Sequence, residues 1–469
     1  MLPKNALYTN AINTSYARNY NNNIAPQNGL GPYSGGETII INIPTGRNNV
    51  IMSGADSLLK YSATVTNGID NSSFVRLDKA GAHSFIQRVR VFHGSTLLSD
   101  IDNYNNLVGM MMVLQTSNDA FHGKHSILTG TEQINVIAEQ IAVTADTNAT
   151  TVPLISGRKL SSGTLVAGAT TDAVTFTIPI MNFLSYSDKY IPLFALTGAL
   201  LRLEIQLVSS AKLAVCSHKT LTSFSINRVE YICNFMEISD VGMGHNQNVI
   251  NETGALEWVV QDYRNYSSTA DIDTGVELTV PLPAKFNSLR SLFVSFRGNY
   301  PGFDAAFPLD STHYSMSEYT FRLGSKTVPT KPPGSVPEFF GELLRAIGCV
   351  SDLNHEPSIN LTNYDVESLE LNNEDADTPS INSGSACFFV GLDLESYSNS
   401  GLNDVYQGYN STTDDIFLIP GSALLQPVLD LYASIRTHTL TKLLLSKMDS
   451  HPHSFKHQYP FSDKLSATR

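Results

Sequence analysis

A strand, a Gly-Ser turn and a helical segment occur twice in this chain, in the same order and at nearly constant separation. The first set runs from Phe85 through Gly94-Ser95 into Ile101 to Gln115, which contains Gly109. The second runs from Tyr319 through Gly324-Ser325 into Val336 to Ile347, which contains Gly341. Gly324 stands 230 residues after Gly94, and Gly341 stands 232 after Gly109. A third pair repeats at 228: Ile191-Pro192 precedes LRLEIQL, and Ile419-Pro420 precedes VLDLYAS. Such a spacing is far longer than the ~20–50 residues of a solenoid repeat and suits a whole domain with elaborated loops. A chain of 469 residues has room for two such units, and the duplication gives both one fold.

Strand signals dominate that fold. Glu37 to Ile43, Leu59 to Thr66, Phe85 to Phe92, Val174 to Ile180 and Leu200 to Val208 mostly alternate apolar with polar residues. A period of two puts one face on a core and the other towards solvent or a neighbour. Further strands are expected at Phe224 to Cys233, Ala255 to Val260, Val276 to Val280, Leu289 to Phe296, Cys387 to Leu394 and Val428 to Ile435. Short strands separated by Gly, Pro and Asn indicate an all-β chain of two tandem β-sandwiches. Each carries one short helix, opened by Asp100 or Asp102 in the first copy and by Ser335 with Pro337 in the second. Residues 1–35 read as an N-terminal arm, 36–245 and 246–446 as the two sandwiches, and 447–469 as a tail. The join falls near Asp240 to Asn251, Gly- and Asn-rich and without periodicity. Long inter-strand loops are expected at Gly123 to Thr171, Asn299 to Ser317 and Asn354 to Ser385.

Charged residues make up only 16% of the chain, against roughly 25% in an average soluble protein. Asn, Ser and Thr fill the gap, which suits subunits packed closely without strong mutual repulsion. The net charge of -13 argues against a protein whose main surface grips phosphate. Both ends are nevertheless mildly basic: Lys4, Arg18 and Arg47 face only Glu37 through Val50, and Lys447, Lys456, Lys464 and Arg469 face Asp449 and Asp463. Such short windows carry small charge fluctuations as readily as a polyanion-facing surface. Cys216, Cys233, Cys349 and Cys387 are far apart and flanked by apolar residues, so they read as buried free thiols of a reducing compartment. No stretch approaches the ~18 apolar residues of a membrane span, and the N-terminus lacks a signal-like apolar region; a soluble, cytosolically made protein is expected.

No segment carries the spacing of a catalytic motif. GLGPYSGG at Gly29 to Gly36 lacks the Lys-Ser/Thr pair and the helix of a phosphate loop. His451, His453 and His457 could ligate a metal, but a polar tail explains them more simply, and no Glu follows as a cupin requires. Glu367, Glu370, Glu374, Asp375 and Asp377, like Asp271 and Asp273, lack the order of a calcium loop. No catalytic, cofactor or metal residue is therefore assigned, and no enzyme activity is expected. The run Met110, Met111 and Met112 with Leu107, Val108 and Leu114 gives its helix an apolar surface wider than one stripe. Such a helix is clamped between its sandwich and a neighbour, or simply packs in the core.

FIQRVRVFHGSTLLSDIDNYNNLVGMMMVLQT, with YTFRLGSKTVPTKPP in the second half, resembles the major capsid proteins of Polinton-like viruses, adintoviruses and virophages. The late FFVGLDLESYSNSG extends the likeness in order over nearly the whole chain. The resemblance implies a double jelly roll and a homotrimeric, pseudo-hexameric capsomer that tiles an icosahedral shell of a DNA virus. It implies that penton and minor capsid proteins are partners, and that the subunit is assembled inside the host cell into the virion. It also places the termini inside, where Lys4, Arg18, Lys456, Lys464 and Arg469 would meet genome or inner membrane, and no small-molecule substrate follows. Gly94, Ser95, Gly324 and Ser325 are expected to be structural turns. Two other readings stay open: a jelly-roll carbohydrate-binding protein, and a cupin-like metalloenzyme using the C-terminal histidines.

Overall fold

The computed structural model describes residues 17–68, 75–131, 139–142, 149–152, 158, 160, 165–185, 189–217, 221–253, 255–270, 278–298, 309–350, 357–366, 371–372, 380–381, 386–395, 408–421 and 429–444. The side chains of 429–444, and of a few other residues in these ranges, lie outside the described part. So do Lys4, Lys456, Lys464 and Arg469, the three tail histidines, Asp271 and Asp273, and the five acids from Glu367 to Asp377.

The first half contributes β1 (Ala17–Ile24), β2 (Thr38–Ile43), β3 (Val50–Asn67), β4 (Ile86–His93), β5 (Thr96–Ile101), β6 (Val174–Pro179), β7 (Leu201–Leu207) and β8 (Leu221–Ile238). The second contributes β9 (Ala255–Ala270), β10 (Val280–Leu282), β11 (Leu289–Gly298), β12 (Tyr319–Leu323), β13 (Lys326–Val328), β14 (Phe389–Asp393), β15 (Ile416–Pro420) and β16 (Leu429–Leu444). The first half forms two four-stranded sheets ordered β1-β8-β3-β6 and β2-β7-β4-β5. The second forms β9-β16-β11-β14 and β10-β15-β12-β13, the same orders with eight added to every label. Pairing within these sheets is antiparallel. In each half the chain crosses from sheet to sheet at nearly every step, apart from the β4–β5 and β12–β13 hairpins. That is the wrapping of a jelly roll.

Alternation explains why these segments pair as they do. In β7, Leu201, Leu203, Ile205 and Leu207 are buried, while Arg202, Glu204 and Gln206 are partly exposed. Ile39, Ile41 and Ile43 do the same in β2, and Tyr319, Phe321 and Leu323 in β12. One residue of slip would turn each of these sets outward, so the buried face holds the register.

Three helices matter here: α1 (Tyr104–Gln115), α2 (Asp240–Thr253) and α3 (Val336–Ile347). Neither Asp100 nor Asp102 caps α1. Asn103 takes the cap position at φ 45°, and Asp100 instead accepts two bonds from Arg88 at 2.7 and 2.6 Å. Ser335 does precede α3, with Pro337 in its first turn.

Four further expectations need correction. The segment Asp240 to Asn251, expected to lack regular structure, lies in the helix α2; Ser239 Oγ accepts from the Gly242 N–H at 3.3 Å at its start, and its mostly exposed surface needs no apolar periodicity. Part of the expected arm is the edge strand β1, paired with β8 from Ala17↔Ile238 to Ile24↔Tyr231. The third repeat match joins strands that are not counterparts. LRLEIQL is β7, whose counterpart β15 itself contains Ile419-Pro420, whereas LDLYAS starts β16, the counterpart of β8. A dipeptide ending a strand in one copy and lying in a loop in the other cannot fix a register. Finally, a short strand, β5 or β13, separates each Gly-Ser turn from its helix.

Candidate functional site

The two sandwiches meet along a buried junction, and α1 is its centre. Every residue of α1 from Tyr104 to Leu114 is buried, which an ordinary surface helix with one apolar stripe does not achieve. Leu107, Met111 and Leu114 lie three or four residues apart, as one helix face requires. Towards the second sandwich, Asn106 Nδ2 donates to Ser295 Oγ at 3.2 Å, and Ser358 N–H donates to the Val113 carbonyl at 3.0 Å. A Cβ on Gly109 would stand 3.3 Å from Leu309 Cδ1. The absence of a side chain at Gly109 lets the second sandwich approach.

Beside α1 lies a clasp of buried charge. Asp78 and Lys79 follow the short strand Val75–Leu77 of the first sandwich. Lys79 Nζ reaches Asp310 Oδ1 at 3.0 Å, the Ala386 carbonyl at 2.7 Å and Cys387 Sγ at 3.7 Å, all in the second sandwich. Asp78 Oδ2 returns the contact by accepting from Leu309 N–H at 2.9 Å. Burial by itself would lower the Lys79 pKa, but Asp310 first, with Cys387 and Asp78, outweighs it and raises the value, so the ammonium stays charged. Burial likewise raises the Asp310 carboxyl, and Lys79 pulls against that rise. The Cys387 thiol is pushed up to about 11, chiefly by burial. A protonated amine and a protonated thiol are both poor nucleophiles, so the cluster is fitted to hold, not to react.

A second polar ladder joins β5 to β9. Ser99 Oγ donates to Asp262 Oδ1 at 2.7 Å, Arg264 pairs with Asp262 at 3.2 Å, and Arg264 Nη1 donates to the Asp100 carbonyl. Burial raises the Asp262 pKa, while Arg264 and Ser99 work to lower it. Arg88 holds Asp100 from behind, so the chain of contacts runs from β4 through β5 into the second sandwich.

The turn residues stand at matching places. Gly94 has φ 59° and Gly324 φ 58°. Gly94 N–H donates to the carbonyl of Leu200, one residue before β7, at 3.2 Å, and Gly324 N–H to that of Asp415, one before β15, at 2.9 Å. Ser95 and Ser325 are exposed beside them. Arg18 is exposed on β1, its guanidinium 5.9 Å from the centre of the Tyr20 ring. Among the described residues no three His, Cys, Asp or Glu side chains are placed to hold a metal, and no helix is long and apolar enough to cross a membrane. Sequence reasoning missed Lys79, Asp310, Asp262 and Ser99. The one available signal was an Asp-Lys pair inside VRLDKAGAHSF, a run otherwise rich in apolar and small residues.

No protein-family model matches the sequence, and no curated protein matches it either. Solved structures do. The Faustovirus major capsid protein superposes with a TM-score of 0.55 over 94% of this chain and 92% of its own, at 10% identity. A chain in the cryo-EM structure of the Sputnik virophage gives 0.54 over 97% and 95%, also at 10% identity. One in the PBCV-1 virus capsid gives 0.50 over 92% and 96%, again at 10%. The chain has the double jelly-roll fold. The likeness spans both sandwiches, so the double jelly roll is shared as a unit and not as a single domain.

Proposed function

We propose that this double jelly roll is a virus major capsid protein, forming a homotrimeric, pseudo-hexameric capsomer that tiles an icosahedral shell around a DNA genome. The observation that carries the reading is the strand-for-strand repetition of one sandwich by the next, locked by a buried junction. Three such chains offer six similar sandwiches, and a six-cornered tile meets its neighbours through similar contacts on every side. Many weak contacts then hold the shell through simultaneous engagement.

On this reading the domains are 36–245, to which β1 adds its strand, and 246–446, with the tail at 447–469. The partners are further copies of the chain, then penton and minor capsid proteins, with genome or inner membrane met through the basic ends. The protein is a virion component assembled inside the host cell, and it performs no catalysis on a small-molecule substrate. Light scattering and electron microscopy of the purified chain at rising concentration test the reading. Discrete trimers with a hexagonal outline, followed by sheets or shells, are expected. A monomer throughout, or binding to glycans without assembly, overturns it.

A further inference from the structure

We propose that the outer face of α3, together with β13, binds the free edge of β1 on a second copy of this chain. The inference rests on the capsomer reading above and names the surfaces that would carry it.

The chain already makes one contact of this kind with itself. The first sandwich contributes α1 and β5 to the junction, and the second contributes its edge strand β9 and the segment around Leu309. The repeat supplies a counterpart for each partner: α3 and β13 on the second sandwich, β1 on the first. Among the described residues, both counterparts are open. One surface of each kind is used inside the chain, and one of each kind is left over.

The helices begin and end at the displacement of 232 that relates Gly109 to Gly341. Phe339, Leu343 and Ala346, the buried residues of α3, stand where α1 has Leu107, Met111 and Leu114. In α3, Leu343 and Ala346 sit against Gly391 of β14, and Phe339 against the Tyr319 ring; the two helices differ in what stands over the shared glycine. Gly109 is closed over by Leu309 at 3.3 Å, whereas among the described residues no atom lies within 4 Å of where a Cβ of Gly341 would be. Asn106 bonds Ser295 across the junction, and its counterpart Glu338 is exposed. Glycine inside a helix costs about 1 kcal/mol relative to alanine, and among the described residues none approaches Gly341 closely enough to require it. A glycine at the position that permits close approach in the other copy points to an approach made from outside.

The leftover strand fits the same reading. β1 is an edge strand of eight residues whose Arg18, Asn19, Asn21 and Asn23 are exposed, while Asp262 on its counterpart β9 is buried. Long edges carrying neither charge nor cover invite partners, and three of these four exposed side chains are neutral amides. Joining the α3 face of one copy to the β1 edge of the next is a head-to-tail contact, which closes into a ring when its rotation allows.

Two variants test the surfaces, Gly341→Lys and Asn21→Lys, each followed by light scattering across concentration and by thermal melting of the dissociated chain. At Gly341, which is half-buried, an added Cβ meets no described atom within 4 Å, so the isolated Gly341→Lys chain is expected to melt no lower than the natural one. Both variants are expected to raise the concentration at which trimers dissociate by more than tenfold. If the natural chain forms trimers and both variants do so equally well, the α3–β1 contact is wrong and the capsomer reading stands. If the natural chain never leaves the monomer, the capsomer reading falls and this contact falls with it.

Discussion

Lys79 of the first sandwich and Asp310 of the second meet at 3.0 Å with no exposed side-chain surface on either residue. Removing one partner leaves the other charge buried alone, which costs about 3–5 kcal/mol, whereas exchanging both for apolar groups of similar size is often neutral or stabilising. Lys79→Ala is therefore expected to lower the stability of the chain by about that amount, measured by urea unfolding. The double variant Lys79→Met, Asp310→Leu is expected to recover most of it. A Lys79→Ala chain as stable as the natural one would show that the clasp holds nothing.

Acid should weaken the first sandwich through His83. Its ring lies 3.2 Å from the Tyr104 hydroxyl, measured at Nδ1. The Tyr104 oxygen already accepts from Met181 N–H at 2.9 Å, so the hydroxyl donates to Nδ1 and the imidazole is held neutral. Burial first, and His125 second, push the His83 pKa down from 6.5 to about 3. Between those values the unfolded chain binds a proton that the folded chain refuses, so stability falls as pH drops through the window and is unaffected above it. The expected slope is about 1.4 kcal/mol per pH unit below 6.5. His83→Leu, less stable at neutral pH because Tyr104 loses its acceptor, should show a shallower fall between pH 7 and 5 in unfolding titrations. Equal slopes would remove His83 as the cause.

What could be read from the sequence, and what could not, divides along the range of the interactions. LRLEIQL and TIIINI were legible because one buried face imposes a period of two on neighbouring residues, and α1 because Met110 to Met112 exceed one apolar stripe. The Gly94 and Gly324 turns were legible because a positive φ selects glycine locally. Lys79 and Asp310 were not, since two charges brought together by the docking of whole domains leave no periodic trace in the chain. The helix α2 escaped for the opposite reason: an exposed helix needs no apolar stripe, and Gly242 and Gly244 argue locally against it.

The basic residues Lys4, Arg18, Lys456, Lys464 and Arg469 are expected to give the chain a weak, salt-sensitive attraction to polyanions. Each phosphate contact made contributes about −0.9 to the slope of log K against log salt on duplex DNA. Changing all five to Gln should therefore flatten the salt dependence of DNA or anionic-vesicle binding and weaken it at low salt. Unchanged binding in a co-sedimentation assay at two salt concentrations would make the charge at the ends incidental.

Gly94 and Gly324 are expected to be interchangeable in their failure. Both have φ near +60°, where a β-branched residue is a steric outlier. Both also donate to the carbonyl of the residue that precedes the next strand of the same sheet, Leu200 in one copy and Asp415 in the other. A Cβ on Gly94 would stand 3.1 Å from the Ala199 Cβ, and one on Gly324 3.2 Å from the Asp414 side chain. Valine at either position would be strained in backbone and in contact together, so Gly94→Val and Gly324→Val should each cost on the order of 1–3 kcal/mol. Because each turn sets the hairpin that delivers a helix, the loss should differ in kind between them. Gly94→Val would displace α1 and loosen the junction, measured as faster proteolysis between the sandwiches, while Gly324→Val would displace α3 and show first as weaker association between chains. Substitution by Asn, which accepts a left-handed conformation at lower cost, should restore much of the loss at both sites. If the Val and Asn variants unfold at the same temperature as the natural chain, the matched backbone conformation of the two turns contributes nothing to either sandwich.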